Sequence, residues 1–460
     1  MKQTSMLASA VMLGIPLCCD AQSAPQTYTL TDLGTVSYDG GVEWISGVSI
    51  NSAGDITGNV GSSMGGAPNY AFLYKDGSIT NLGTLGGQLS DGRSISDVGQ
   101  VVGSSFTWAG VIHAFLYQDN LMQDLGTLGG ASSSGNGISR CNGLIVGAAD
   151  TSAGNSHAFL YSDGVMHDLG TLGGARSGAQ AVNASGQIVG FADTGATVDT
   201  GSGPLTVSHA FLYSAGVMQD LGTLPTGSTS MAQAINAAGH VAGESSIGGL
   251  LRTHAFLYRD GVMQDIGTLP GTTNTQVTGM DSADDVVGYA GPMDSLGRAH
   301  GFLYSNGTMM DLNGLLDPSD PLTPNVVIES GQSITETGVI LAEGHDLIGA
   351  YHTYLLKPSV PRSTTTADAG TCSAGNNPPP GGDASGTSSS SGSDSSSNPT
   401  PFPGGNSNSA SPITIDQASS AGSSTSTGGG GAIDTFTLLL LLGSLGVQAL
   451  RSGTIRAQAD

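Results

Sequence analysis

Six histidines recur at one position of a repeated string: His113, His157, His209, His254, His300 and His352. Imidazole is the commonest side-chain metal ligand, so metal binding is the first chemistry the pattern raises. The spacing argues against it, because neighbouring members lie 44 to 52 residues apart, one structural unit each. Each is expected to hydrogen-bond a nearby turn. The aspartates of Asp163-Gly164 and Asp168-Leu169 read the same way, since chemistry needs a residue once whereas turns and strand ends need it in every copy. The Asp284-Asp285 pair falls in a turn where Ser185-Gly186 and Ala238-Gly239 stand in other units. Paired carboxylates for glycoside cleavage depend on a separation that only the fold supplies. No catalytic residue, metal site or cofactor is assigned.

Charge narrows the partners. The chain has 36 acidic against 12 basic residues, a net charge of −24, so its field repels phosphate backbones and anionic lipid. Nucleic acid is excluded as a partner. With 73 glycines in 460 residues and only 10% charged residues, the composition suits short strands and tight turns rather than amphipathic helices.

The elements that carry these residues repeat. The string His157-Ala158-Phe159-Leu160-Tyr161, a turn at Asp163-Gly164, and Val165 to Thr171 returns with its first position at Tyr70, His113, His157, His209, His254, His300 and His352. An Asp-Leu-Gly-Thr element begins at Asp32, Asn81, Asp124, Asp168, Asp220, Asp265 and Asp311. Each unit of about 45 residues reads as four short strands, as in Ala232 to Asn236, His240 to Gly243, His254 to Tyr258 and Val262 to Thr268. Such a unit cannot bury enough apolar surface to offset its ordering entropy, so units must stack. The expected fold is all-β, a seven-bladed β-propeller over residues 27–358 with the small-residue strand innermost. The phase of the repeat predicts closure: the chain enters on a fourth strand (Thr29 to Thr35) and leaves on a third (His352 to Leu356), so the two ends pair to complete one blade. The motif resembles the HAF family of bacterial extracellular repeats, on the His-Ala-Phe at 113–115, 157–159, 209–211 and 254–256. That resemblance implies an extracellular address and carries no activity.

The two ends address the chain. Residues 1–21 hold Lys2, an apolar run from Met6 to Leu17 and small residues before a cleavage point after Ala21, the pattern of a secretory signal peptide. A lipoprotein anchor on Cys18 or Cys19 is disfavoured by Leu17 and Pro16. In the mature chain Cys141 and Cys372 offer one pairing, which is no disulfide framework. Residues 359–427 form a Ser/Gly/Pro-rich linker expected to be disordered. Residues 428–460 open with Gly428, Gly429, Gly430 and Gly431 and continue as a hydrophobic helix just long enough to span, with Arg451 and Arg456 holding the terminus inside. This tail resembles the bacterial GlyGly-CTERM sorting signal, which implies a sorting protease of the rhombosortase type; a permanent membrane anchor is the other reading.

Function is expected where the repeat breaks. On a propeller the connections between second and third strands leave one face, and here they vary most: residues 59–69, 104–112, 148–156, 192–208, 244–253 and 289–299. Trp108, Arg252 and Arg298 lie in or beside them and are the binding candidates. The expectation is a monomeric, noncatalytic propeller on the outer surface of a bacterium, binding or scaffolding an extracellular protein or glycan. A secreted polysaccharide-active enzyme and a structural envelope or matrix component are the alternatives.

Overall fold

A computed structural model describes residues 26–38, 41–62, 69–199, 203–249, 252–291, 299–362 and 415–416. Apart from two short 3-10 turns at Leu312–Leu315 and Thr323–Asn325, every regular element is a β-strand. The signal peptide with its cleavage point after Ala21, and the tail from Gly428 to Gly431 onward, lie outside the described residues. Within the linker only 359–362 and the two-residue strand Ile415–Asp416 are described, the latter pairing with Thr35 and Val36.

Apart from Thr35–Tyr38, which pairs with the first strand of group 1, and Ile415–Asp416, the described strands fall into antiparallel groups of four, here numbered 1 to 7 by the order of their first strands. These first strands are Gly41–Ile50, Gly86–Ile95, Gly129–Ile138, Ser177–Val182, Ser230–Ile235, Asn274–Met280 and Val326–Ile334. In groups 1 to 6 the second, third and fourth strands follow in sequence and in space. Groups 5 and 6 are joined by a single parallel bridge between Thr253 and Asn274. Group 7 takes its fourth strand from the other end of the chain: Tyr28–Asp32 pairs with Tyr351–Pro358, in a register from Tyr28 opposite Pro358 to Asp32 opposite Tyr354. Each first strand packs against the next, and Val326–Ile334 packs against Gly41–Ile50.

Local chemistry explains the group. The third and fourth strands are joined by two residues that both have positive φ, as at Asp163 (52°) and Gly164 (82°), Asp260 (52°) and Gly261 (79°), and Asn306 (50°) and Gly307 (79°). This is the type I′ geometry whose twist matches that of the flanking strands. Inside, the recurrent Phe of the third strand is fully buried in groups 1 to 6, at Phe72, Phe115, Phe159, Phe211, Phe256 and Phe302; group 7 uses Tyr354.

Every first strand carries an irregularity of register at the same place, skipping Val48, Arg93, Asn136, Gln180, Gln233, Thr278 and Gln332 in turn. Such a bulge twists the strand and re-aims one side chain. It also drives the Met231 carbonyl against Gly243, where any Cβ would collide with it, which accounts for the glycine in the second strand.

Serines bind one group to the next. Ser177 Oγ accepts from the Ala158 backbone N–H at 2.8 Å and donates to the Gly170 carbonyl, so the first strand of group 4 is fastened to the third strand of group 3. Ser90, Ser133 and Ser230 repeat the arrangement with Ala71, Ala114 and Ala210. At the seam Thr353 does related work: its Oγ1 accepts from the Gly47 N–H and donates to the Ile45 carbonyl at 2.8 Å.

Candidate functional site

The repeated histidines are tied to the repeated aspartates. Nδ1 lies 2.8 to 3.1 Å from the carboxylate in His113–Asp124, His157–Asp168, His209–Asp220, His254–Asp265, His300–Asp311 and His352–Asp32. An ionised carboxylate only accepts, so Nδ1 carries the proton and donates. The same carboxylates accept from a backbone N–H two residues on, as Asp168 does from Gly170. The partner is therefore the aspartate that ends the fourth strand, and the bond clasps third strand to fourth. In group 7 the clasp joins residue 352 to residue 32, and the bond to Asp32 raises the His352 pKa against the opposing effect of burial. Among the described residues no group of three or more His, Cys, Asp and Glu stands together to hold a metal.

The turn carrying Asp284-Asp285 differs in register from the sequence reading. Asp284 has φ of 63° and occupies the position of Gly239; Asp285 occupies that of His240. Asp284 accepts from His240 Nδ1 at 2.8 Å across groups 5 and 6. Asp281 and Asp285 are buried and both pair with Arg362. Burial holds the Asp281 carboxyl up at about 6 against the pull of Arg362. Nearby, Arg140 meets Glu336 at 3.0 Å. Its neighbour Cys141 is disulfide-bonded.

Chemistry concentrates at the other end of the strands, in groups 5 to 7. The chain has five glutamates, and four of them lie between residues 244 and 343. Glu244 and Glu343 occupy one repeat position, each 8% exposed, on the second strands of groups 5 and 7. Each accepts from the glutamine of its own bulge: Gln233 Nε2 reaches Glu244 Oε1 and Gln332 Nε2 reaches Glu343 Oε2, both at 2.9 Å. Their other oxygens fare differently. Glu343 Oε1 accepts from Ser46 Oγ across the seam, whereas Glu244 Oε2 is buried without a partner. Burial accordingly pushes Glu244 up to about 7, although Gln233 and the Val277 backbone N–H oppose it.

Tyrosines stand beside these carboxyls. Burial, and then the Glu244 charge, raise the Tyr289 phenol. Tyr351 is 44% exposed, yet the protein packed around its phenol, and then Glu343 and Glu329, raise its pKa, and Glu329 faces His345 Nδ1 at 2.9 Å. Glu244 and Tyr289, expected at the start of variable loops, lie instead on the strands Val241–Ser246 and Val286–Gly291. The one available signal was that glutamate is rare here and falls at one repeat position twice.

Of the predicted binding residues, Trp108 is 90% exposed in a tight turn between second and third strands, and Arg252 is exposed at the corresponding place in group 5. Arg298 lies outside the described residues. The 192–208 segment is no irregular loop, because its strands run on as an extended hairpin with Thr197 opposite Thr206 and Asp199 opposite Pro204. Leu347 and Ile348, 71% and 90% exposed, form the equivalent turn of group 7.

No family model matches the chain, and no curated protein matches it. Among solved structures it is similar to the β-propeller domain of the Trilobed protease from Pyrococcus furiosus, at 8% identity and a TM-score of 0.46, over 69% of this chain and 97% of that one. A gluconolactonase from Xanthomonas campestris is similar at 11% identity and a TM-score of 0.34, over 74% and 96% of the two chains. TolB from Acinetobacter baumannii is similar at 12% identity and a TM-score of 0.35, over 67% and 65%.

Proposed function

We propose that this chain is an exported bacterial binding module: a seven-bladed β-propeller, closed by its first and last strands, that presents the ends bearing the second-to-third connections to an extracellular ligand. Seven groups of four strands, first strands in continuous contact and the pairing of residues 28–32 with 351–358 support the closed ring. Closure leaves no open sheet edge between the two chain ends, which a secreted all-β protein needs to avoid aggregation. The observation that carries the functional reading is where the repeat is broken. Glu244, Tyr289, Glu343, Tyr351, Trp108 and Leu347 all depart from it, and all lie at or near the connections between second and third strands.

Export rests on the leader, with cleavage after Ala21, and surface delivery on the tail, with processing near Gly428 to Gly431. The acidic surface, the linker of about 45 Å if it behaves as a flexible coil, and the terminal tail suit a body held clear of a membrane. Binding of the mature protein to a glycan array or to cell-surface extracts tests the reading. Substitutions at the connection end should abolish the signal and substitutions in the Asp-Gly turns should not; the reverse result overturns it. Intact-mass analysis should end near residue 430, and a mature chain still carrying Asp460 selects the permanent anchor.

A second reading, hydrolysis of a polysaccharide, is favoured by Glu244 and Glu343: one carboxyl held protonatable near neutral pH, the other accepting hydrogen bonds on both oxygens. Reducing-sugar release that Glu244→Gln abolishes would establish it. Release that survives this change would remove Glu244 from the chemistry.

A further inference from the structure

The turns of groups 2 and 3 that face the proposed ligand have the same skeleton. In group 2, Thr107-Trp108-Ala109-Gly110-Val111 closes with Gly110 N–H donating to the Thr107 carbonyl at 3.0 Å and Thr107 N–H to the Val111 carbonyl at 2.9 Å. In group 3, Thr151-Ser152-Ala153-Gly154-Asn155 makes the same two bonds, at 2.9 and 2.8 Å. Even the threonine hydroxyls agree, donating to the Val111 and Asn155 carbonyls at 3.2 and 3.0 Å. The difference is the second residue. Serine there makes a complete turn, so tryptophan adds nothing the backbone needs.

Under each turn lies a glycine with positive φ, Gly86 at 102° and Gly129 at 94°. A Cβ on Gly129 would touch Ser152 at an ordinary 3.5 Å. One on Gly86 would collide with Nε1, Cδ1 and Cε2 of the indole, so the pyrrole edge of Trp108 rests directly on the backbone of Gly86. The ring is thereby seated on rigid chain at one edge while 90% of the residue faces solvent. Placing an indole in water forgoes about 1.5 to 3 kcal/mol of burial, which the fold does not recover.

We propose that Trp108 is the stacking platform of a saccharide site that takes the apolar C–H face of a neutral pyranose ring. This rests on the reading of the connection end as the ligand face, and it names the ligand class. Thr107, Ala109 and Gly110 share the turn with the indole and Gly86 lies beneath it. Within residues 84–90 and 104–112 Trp108 is the one large apolar side chain that is exposed, Leu85, Phe106 and Val111 being half-buried. A protein partner would need roughly 800 Å² per side with an apolar centre of several side chains, and a single exposed indole is less than that. A cationic ligand would call for carboxylates, and residues 84–90 and 104–112 contain none. A sugar ring needs no more than the indole face and hydroxyl partners at its rim.

The test uses the full mature chain and a panel of cello-, chito-, laminari- and mannohexaose, read by tryptophan fluorescence and by calorimetry. Binding of at least one oligosaccharide is expected, with at least a tenfold loss in Trp108→Ser, which rebuilds the group 3 turn and should melt as the parent does. Ser152→Trp is expected to add a second site or raise affinity at least threefold. Gly86→Val should displace the indole and weaken binding. If no oligosaccharide binds, or if binding is unchanged in Trp108→Ser, the platform is wrong. In the second case, loss of binding on changing Glu244 or Tyr351 would leave the connection end as the ligand face. A captured protein partner that depends on Trp108 would overturn the saccharide while keeping the face. Binding that maps to the Asp-Gly turns would overturn both.

Discussion

The two ends of the strands differ in how tightly they are specified. At the end bearing the third-to-fourth turns, six hairpins repeat one backbone geometry, from Asp76-Gly77 to Asn306-Gly307. At the other, the connections range from a five-residue turn at Thr107 to the twelve-residue strand Ile188–Asp199 and its partner. The positive φ values at the first end admit few residues, so a change there is felt by the fold. The second end is held from within, by the His–Asp clasps and the serine bonds, and its outer residues are free to vary. Unpaired chemistry collects where the fold does not set the residue type.

The largest effect should come from removing a part on which both ends depend. Deleting residues 26–33 takes Tyr28, Leu30 and Leu33, all buried, from group 7 and its neighbour and frees His352 from Asp32. At about 1.5 to 3 kcal/mol for each large apolar side chain, the loss is about 5 to 9 kcal/mol. Thermal melting should show collapse of the whole domain. A deletion that melts as the parent does would show that group 7 stands without its fourth strand.

Next is the buried carboxyl. Glu244 ionises near 4.5 unfolded and about 7 folded, so the folded state keeps a proton that the unfolded state releases. Stability therefore falls as pH rises from about 4.5 through 7 and stays lower above. Glu244→Gln should remove that dependence, stabilising the protein by about 2 to 3 kcal/mol at pH 8 and hardly at all at pH 4. Equal effects at both values would mean the carboxyl is not held protonated.

A smaller loss is expected from Ser177→Ala, which strips a hydrogen bond from the buried Ala158 N–H and costs about 1 to 3 kcal/mol. Urea melts should show it without a change in slope. Smallest of all is Trp108→Ser, within about 0.5 kcal/mol of the parent, since an exposed turn substitution touches no buried partner. A large destabilisation there would mean that the connection end is as constrained as the hairpin end.

Much of the framework could be read from the chain because it is written several times. The Asp163-Gly164 turn, the buried Phe159 and the meeting of the first strand with the last follow from the repeat and its phase, although the paired segment is Tyr28–Asp32 against residues 354–358 and Thr35, expected in the same strand, belongs to a separate one that pairs with the first strand of group 1. What repetition could not convey was the role of residues occurring once. Glu244 and Tyr289 look like loop residues, because the hydrophobic pattern fades before the strand ends. The partner of His157 is eleven residues away, across a hairpin whose register depends on the turn between. That Glu244 is short of a partner while Glu343 is not depends on Ser46, which is almost 300 residues away in sequence and meets Glu343 across the seam. Such a difference lies in three dimensions only.

The strand that leads into the linker, Tyr351–Pro358, is not the outermost of its group. It lies between Tyr28–Asp32 and Ile340–Asp346, hydrogen-bonded on both sides. If the linker proposed over residues 359–427 tethers the body, a pull by flow or by a bound surface would load both ladders along their length. Bonds loaded in shear share the force and fail together, whereas an edge strand would unzip one pair at a time. Residues from the beginning of the chain thus act as a mechanical clamp on its exit, and force spectroscopy pulling from residue 362 should find a high rupture force that Asp32→Ala lowers.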